Sequence, residues 1–495
     1  MLFASWMLGC ASVSPFNQSF VELRSPHFIV TSSLGESATH ELARDLEVFH
    51  AGVLEALGIP LGEQGGQPTR VLAFDGRGMA RPFAIRGQGA SLVPGLDGPT
   101  LMIRTNCAFS QCMRPDLRHR YAHYVLRAVS ARRAPLWYEE GRAQVSSTID
   151  VSGSVARVGR FAEEKAVRLL EWRRSDLSRV LERRQVATES LEGRLQFEAE
   201  TWALVHTVLF DSPRKRPGRE ALDRVRRAFE ADRPRELAAA VRALGSPESL
   251  TDRIYRHLES ERHRADRLQV GLREISSLPL RPLEVWVARD QLGQLALSLS
   301  RFELALDYFD RALAASPDSE APMAGRAQAL AALGRHEEAR AALRGLDSGD
   351  WIANREGLGP PPFAIANRVG SAHLVLAIAA STDATRERER AAARAAFSRA
   401  LEASPENVVA MVGMGRTQLG VGGDSDAACA FFDAARELRP GALEIDLWLA
   451  ACERDRGRDR AARGWLEEVL SRSHSSLLLQ RAEERLLELE EGEAS

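Results

Sequence analysis

Three phrases in the C-terminal half of this chain are variations on one pattern: YFDRALAASPDS at 308–319, AFSRALEASPEN at 396–407 and FFDAARELRPGA at 431–442. Each carries a phenylalanine, an alanine three positions on, and a proline that ends the helical run. Pro405 and Pro440 are 35 residues apart, and the segment VLSRSHSS (469–476) follows after about one more period of ~34 residues. A period of that length describes one pair of helices. Such a pair cannot bury its own apolar face, so neighbouring pairs must stack into an elongated array.

The register of large and small residues resembles the tetratricopeptide repeat. With Pro317 as a closing proline, Leu292, Gly293, Ala305, Phe309 and Ala312 take the pattern's positions. Ala327 and Ala339 mark a second repeat, Ala393, Phe397 and Ala400 a third, Ala428, Phe432 and Ala435 a fourth, and Ala462 with Leu466 a fifth. The array covers about 286–475, interrupted by the Pro- and Gly-rich stretch 347–363. Residues 476–495 form an acidic capping helix and tail, since LLLQRAEERLLELEEGE gives the last repeat a solvated outer face. The resemblance implies a concave groove that binds an extended segment of a partner protein.

A chain of 495 residues is too long for one core. Upstream of the repeats the pattern changes. HFIVTS (27–32), TRVLAFD (69–75) and TLMIRT (100–105) are short, rich in β-branched residues and bounded by turn formers, and so predict strands. Leu42, Leu46, Phe49, Val53 and Leu57 recur at three and four, predicting a helix over 38–57. Helices at 117–131 and from about 136 come next, and 160–262 is predominantly helical. The fold class expected is α+β for 19–262, a small mixed sheet with helices, then a helical connector at 263–285, then the all-α solenoid.

The stretch LRHRYAHYVLRAVSARRAPLWYEEGRAQ (117–144) carries the chemistry. His119 and His123, four apart on a helix, lie on one face a turn apart, close enough to share one zinc ion. Glu140 follows where an antiparallel helix can return to them, and two histidines with one glutamate form a known catalytic zinc set with a fourth position open for water. Pro135 shapes the start of that second helix, and Gly141 permits its close packing.

These residues resemble the peptidase MA-like, gluzincin-type domains, whose motif is HExxH followed by Pro-x-Trp-x-x-Glu-Gly. Here the chain reads His119-Arg-Tyr-Ala-His123, then Pro135-Leu-Trp137-Tyr-Glu-Glu140-Gly141. RSPHFIVTSS is similar to the family's opening strand, and FEAETWALVHTVLF (197–210) to its late buried helix. The resemblance implies a zincin-like domain over 19–262 with His119, His123 and Glu140 as zinc ligands. Glu139 does not align with the family's glutamate and reads as solvent-side.

The departure is Arg120, which stands where the family has its general-base glutamate. A guanidinium stays protonated at any physiological pH and cannot accept a proton from metal-bound water. A cation there also opposes zinc unless it turns away or pairs with a carboxylate such as Glu139. No catalytic residue is therefore assigned. Three readings stay open: an inactive, interaction-bearing relative with zinc retained or lost, an active metallopeptidase using a substitute base such as Glu139 or a substrate group, and a fold kept purely as a spacer for the repeats.

The first residues, MLFASWMLGCASVS, resemble the end of a lipoprotein signal, with Gly9 before a lipidation candidate, Cys10. The basic n-region is missing and Met7 replaces the usual leucine; a start assigned too late accounts for the first. Residues 1–18 are expected to be a truncated signal and tether, placing the protein on the cell-envelope membrane; the alternative is a cytoplasmic chain. Cys107 and Cys112 are close enough in sequence for a local bridge, whereas Cys429 and Cys452 read as small core residues. A net charge of −2 supplies no electrostatic footprint for nucleic acid.

Overall fold

The computed structural model describes residues 18–61, 68–75, 83, 90–104, 109–130, 132–171, 176–183, 190–211, 216–271, 275–347, 359–420 and 422–493. Cys10 and Cys107 lie outside them, as does most of the 347–363 insertion.

The chain opens with β1 (Val21–Arg24) and β2 (Phe28–Ser32), an antiparallel pair. Helix α1 (Glu36–Leu57) then crosses to β3 (Thr69–Phe74), parallel to β2. Gly58 ends α1 at φ +71°, a conformation that costs glycine little, and returns its N–H to the carbonyls of Glu55 and Leu54. Strands β4 (Ala90–Val93) and β5 (Thr100–Arg104) follow, β5 parallel to β3 and β4 antiparallel to β5.

Two helices then carry the site: α2 (Pro115–Val129) and α3 (Leu136–Ser146). A hairpin, β6 (Asp150–Ser152) and β7 (Val155–Val158), leads through shorter helices to the buried α4 (Leu191–Phe210). Helices at Arg216–Glu230, Pro234–Arg242 and Pro247–Leu258 complete the domain.

The segment expected to be a helical connector is instead woven into the sheets. β8 (Asp266–Gln269) pairs with β7, and β9 (Leu280–Pro282) pairs with β1. The main sheet is thus six-stranded, ordered β4-β5-β3-β2-β1-β9, and the N-terminal domain runs to about residue 282 and not 262. Strands of three and four residues at sheet edges carry too little periodic signal to be read locally; the partner strand defines them.

Both faces of this sheet are covered. Val71, Ala73, Leu101 and Ile103 face the core shared with α1–α4. The alternate residues Leu72, Phe74 and Met102 join a second core with the first repeat, through Val287, Leu292 and Phe309. Burial on both sides is why these strands read as unbroken apolar runs. It also anchors the start of the array to the domain before it.

Five helix pairs make the array: α5 (Val285–Ser298) with α6 (Phe302–Ala315), α7 (Glu320–Ala332) with α8 (His336–Leu343), α9 (Pro362–Ile378) with α10 (Asp383–Ala403), α11 (Val408–Thr417) with α12 (Ser425–Leu438), and α13 (Leu443–Asp455) with α14 (Asp459–Arg472). The closing helix is α15 (Ser476–Glu493). Phe309 shows why the repeat works. Its ring would meet a Cβ at Gly293 at 2.6 Å and at Gly325 at 2.4 Å, so it joins its own repeat to the next over two glycines. Phe397 does the same between Gly370 (2.7 Å) and Gly413 (2.4 Å).

Cys429 and Cys452, expected as unlinked core residues, form a disulfide between α12 and α13. Helices packed face to face bring the two thiols within bonding reach. Cys112 is also disulfide-bonded. Among the described residues no helix is long and apolar enough to cross a membrane.

Candidate metal centre

Helix α2 begins with Pro115 at its first turn and Asp116 close to its positive end. Leu117, Tyr121, Val125 and Leu126 bury its apolar face in the domain core. His119 and His123 are buried on the adjoining face, towards α3. Helix α3 starts from Pro135, whose carbonyl accepts from the N–H groups of Tyr138 and Glu139. It is pressed against α4 at Gly141, where a Cβ would lie 2.5 Å from the Thr201 carbonyl oxygen. The expected reason for that glycine, close helix packing, therefore holds.

This packing brings the three residues expected as ligands together. His119 Nε2 lies 2.9 Å from Glu140 Oε1 and 3.1 Å from His123 Nε2, and His123 Nε2 lies 3.3 Å from Glu140 Oε2. Gln144, one turn after Glu140, donates to Glu140 Oε1 at 2.8 Å and fixes the carboxylate.

Glu139 is not solvent-side. It is 2 % exposed and supports the centre from behind. Its Oε1 lies 2.8 Å from His123 Nδ1 and accepts from Arg127 Nε at 2.6 Å, and its Oε2 accepts from Arg472 at 2.7 Å. A carboxylate only accepts, so His123 carries a proton on Nδ1, and its Nε2 faces inward. That arrangement is the usual outer support of a metal-bound histidine. Burial opposes ionisation of Glu139, but Arg127, His123 and Arg472 outweigh it and hold the carboxyl well below the usual range. Burial likewise opposes ionisation of Glu140, where the neighbouring histidines prevail and hold it low.

Arg120 follows His119 on α2 and is half-buried. The carboxylate suggested as its partner, Glu139, is taken by His123 and two other arginines.

The fourth member of the cluster comes from the far end of the chain. His474 Nε2 lies 3.1 Å from His123 Nε2 and 3.7 Å from Glu140 Oε2. One ligand atom from each of His119, His123, Glu140 and His474 lies within 4.8 Å of the others. Burial, with His123 adding to it, pushes His474 down to about 3. Sequence reasoning misses His474, although a signal exists. The helices ending at Ala315, Ala403 and Leu438 are each followed, two residues on, by Pro317, Pro405 and Pro440. After α14, which ends at Arg472, that place is held by His474.

The surroundings of His474 are tightly docked. Arg472 donates to the Ala134 carbonyl at 3.0 Å, and Arg127 donates to the Arg472 carbonyl at 2.8 Å. Arg133 pairs with the fully buried Asp446 and, at 2.8 Å, with Glu468. A Cβ on Gly441 would lie 2.1 Å from Arg127 Cβ, so the turn after Pro440 rests directly on α2.

The donor set suits a divalent transition metal. Four ligands at Zn–N and Zn–O distances of about 2.0–2.1 Å form a tetrahedron with edges of about 3.3 Å. Separations of 2.9 to 3.7 Å join His123 and His474 to each other, His119 to His123, and each histidine to one or other Glu140 oxygen, and one ligand atom from each residue lies within 4.8 Å of the rest.

Residues 296–349 and 378–442 each match a family model described as tetratricopeptide repeat. A solved structure, that of a thermophilic TPR protein in Thermus thermophilus, is 20 % identical, with 40 % of this chain and 97 % of that chain covered and a TM-score of 0.35. No curated protein matches the chain. The helical array of this protein carries tetratricopeptide repeats.

Proposed function

We propose that the chain is an exported, membrane-tethered interaction scaffold. In this reading a zinc metallopeptidase-like domain that lacks its general base is joined to a repeat array that binds a partner protein. Tetratricopeptide repeats generally present an extended surface to protein ligands, which supports the second half. The observation that carries the first half is the pairing of an intact buried ligand set with Arg120 at the general-base position. His119, His123 and Glu140 would hold zinc, which would supply Lewis acidity and polarise a bound water. His123 is oriented by Glu139, and Glu140 by Gln144, while Glu139, the neighbouring carboxylate, is held by two arginines and a histidine and is not free to take the proton. A positioned base is worth roughly 10²–10⁴-fold, so efficient hydrolysis is not expected.

The second reading, an active metallopeptidase with a substitute base, draws on the same convergence of ligands. Turnover of a denatured protein substrate separates the two. Wild type is expected to show no chelator-sensitive cleavage; such cleavage would defeat the inactive assignment. Recovery of cleavage in Arg120→Glu would show that the base alone is missing.

Export is supported by the Cys429–Cys452 disulfide, since such bonds persist in oxidising compartments, and by the Leu8-Gly9-Cys10 sequence. The tether is tested by lipid labelling in cells. Incorporation is expected for wild type and lost in Cys10→Ser; equal signals would remove the lipid anchor.

A further inference from the structure

We infer that the repeat array closes the metal centre: His474 is a fourth protein ligand, and the bound ion is a four-coordinate clip joining the end of the array to the N-terminal domain. The inference rests on the proposed zinc set of His119, His123 and Glu140, and adds that no coordination position is left for water or substrate.

The geometry at His123 carries it. With Nδ1 engaged by Glu139, its Nε2 points into the cluster. There it faces Glu140 Oε2 at 3.3 Å. Two more imidazole nitrogens, from His119 and His474, lie at 3.1 Å from the same Nε2. One ligand atom from each of the four side chains thus lies within 4.8 Å of the others. One divalent cation at the centre of the cluster would meet a donor atom from each of the four groups, filling every corner of a tetrahedron. A set in which protein fills all four corners is the structural kind of zinc site; a catalytic one keeps a corner open.

The sequence context of His474 fits the same role. A proline at this turn would complete the repeat pattern but could not bind metal. A histidine at the one turn that lies over the ligand set gives the repeat a use for that position. The neighbouring contacts of Arg472 hold the turn so that the imidazole needs little reorganisation to coordinate. The ion would therefore tie residues 351 positions apart, and set where the last repeat stands relative to the sheet.

The test uses the full-length protein with Zn²⁺ and Co²⁺ as probes. Wild type is expected to bind one ion, and its Co²⁺ derivative to show the intense visible bands of a tetrahedral site, unchanged by azide because no position is open. His474→Ala is expected to weaken Zn²⁺ affinity by at least about 100-fold, the upper end of what losing an outer partner costs. Its Co²⁺ spectrum should then shift on adding azide. His474→Cys should restore a four-coordinate site and add a near-ultraviolet thiolate-to-cobalt band, which arises only if residue 474 touches the metal. Chelation of wild type should speed amide exchange in α14 and α15 and leave β2 and β3 unaffected. An azide-responsive wild type, unchanged affinity in His474→Ala, or a His474→Cys variant without the thiolate band would overturn the closure while leaving the three-ligand centre standing. Absence of metal from wild type, or affinity indifferent to His119→Ala, would bring down both.

Discussion

His206 lies within α4, its Nε2 donating to the Gly159 carbonyl oxygen at 3.0 Å and its Nδ1 2.9 Å from His257 Nε2. Burial, reinforced by His257, pushes it down to about 3, and burial pushes His257 down to about 4. In the unfolded chain both titrate near 6.5, so below that pH the unfolded state holds protons the folded domain refuses. Stability is therefore full above pH ~6.5 and falls as pH drops towards about 4, by at most about 1.4 kcal/mol per unit for each histidine. Urea unfolding followed at pH 7, 6 and 5 should show this decline, and His206→Gln should flatten it; parallel declines would assign the effect elsewhere. Elsewhere at this scale, the legibility of single residues follows what they touch. His119, His123 and Glu140 stand out because their spacing is a local property of helices. Glu139 does not, since its burial depends on Arg472, and its neighbours in sequence give no hint of arginines arriving from α2 and α14.

Helices are legible where one face is apolar over several turns, as in α1, and where a repeat supplies the register, as in α6, α10 and α12. Phe397 sits between glycines of two neighbouring helices, so its loss opens a cavity shared by two repeats. Phe397→Ala is expected to cost ~3–5 kcal/mol, measured by denaturant unfolding, and to loosen α9–α11 in hydrogen exchange before the sheet. A cost under ~1 kcal/mol would mean the repeat closes without it. The disulfide acts on the next pair. Replacing both Cys429 and Cys452 by serine is expected to lower stability by ~2–4 kcal/mol with unfolding beginning at α12 and α13, and an unchanged midpoint would show the bond to be dispensable. The short strands β1, β4 and β6–β9 have too few residues to show a periodicity of their own. Their existence is a property of the pairing, most plainly for β8 and β9, which lie in a segment that reads as a helical connector.

Among the described residues the array meets the N-terminal domain at the sheet through α5 and α6, at α2 and α3 through residues 441–474, and at Leu96, which packs on the core of α11–α13. The second contact depends on Gly441 lying against Arg127, with no room for a side chain. Gly441→Leu is expected to lift this end of the array away. Small-angle scattering should then report a larger radius of gyration, with helical content unchanged; an unchanged radius would mean the ion-pair network alone holds the ends together. Sequence alone determined the helical register of the repeats, the strands at the centre of the sheet and the grouping of His119, His123 and Glu140 on α2 and α3, because each follows from spacing along elements or from one repeated unit. Only the tertiary structure decided that the array returns to α2 and α3, that Glu139 backs His123 from within, that Cys429 meets Cys452, and that His474 lies beside His119, His123 and Glu140. Those depend on the angle accumulated over five stacked helix pairs, a sum of many small packing offsets that no local pattern of residues records.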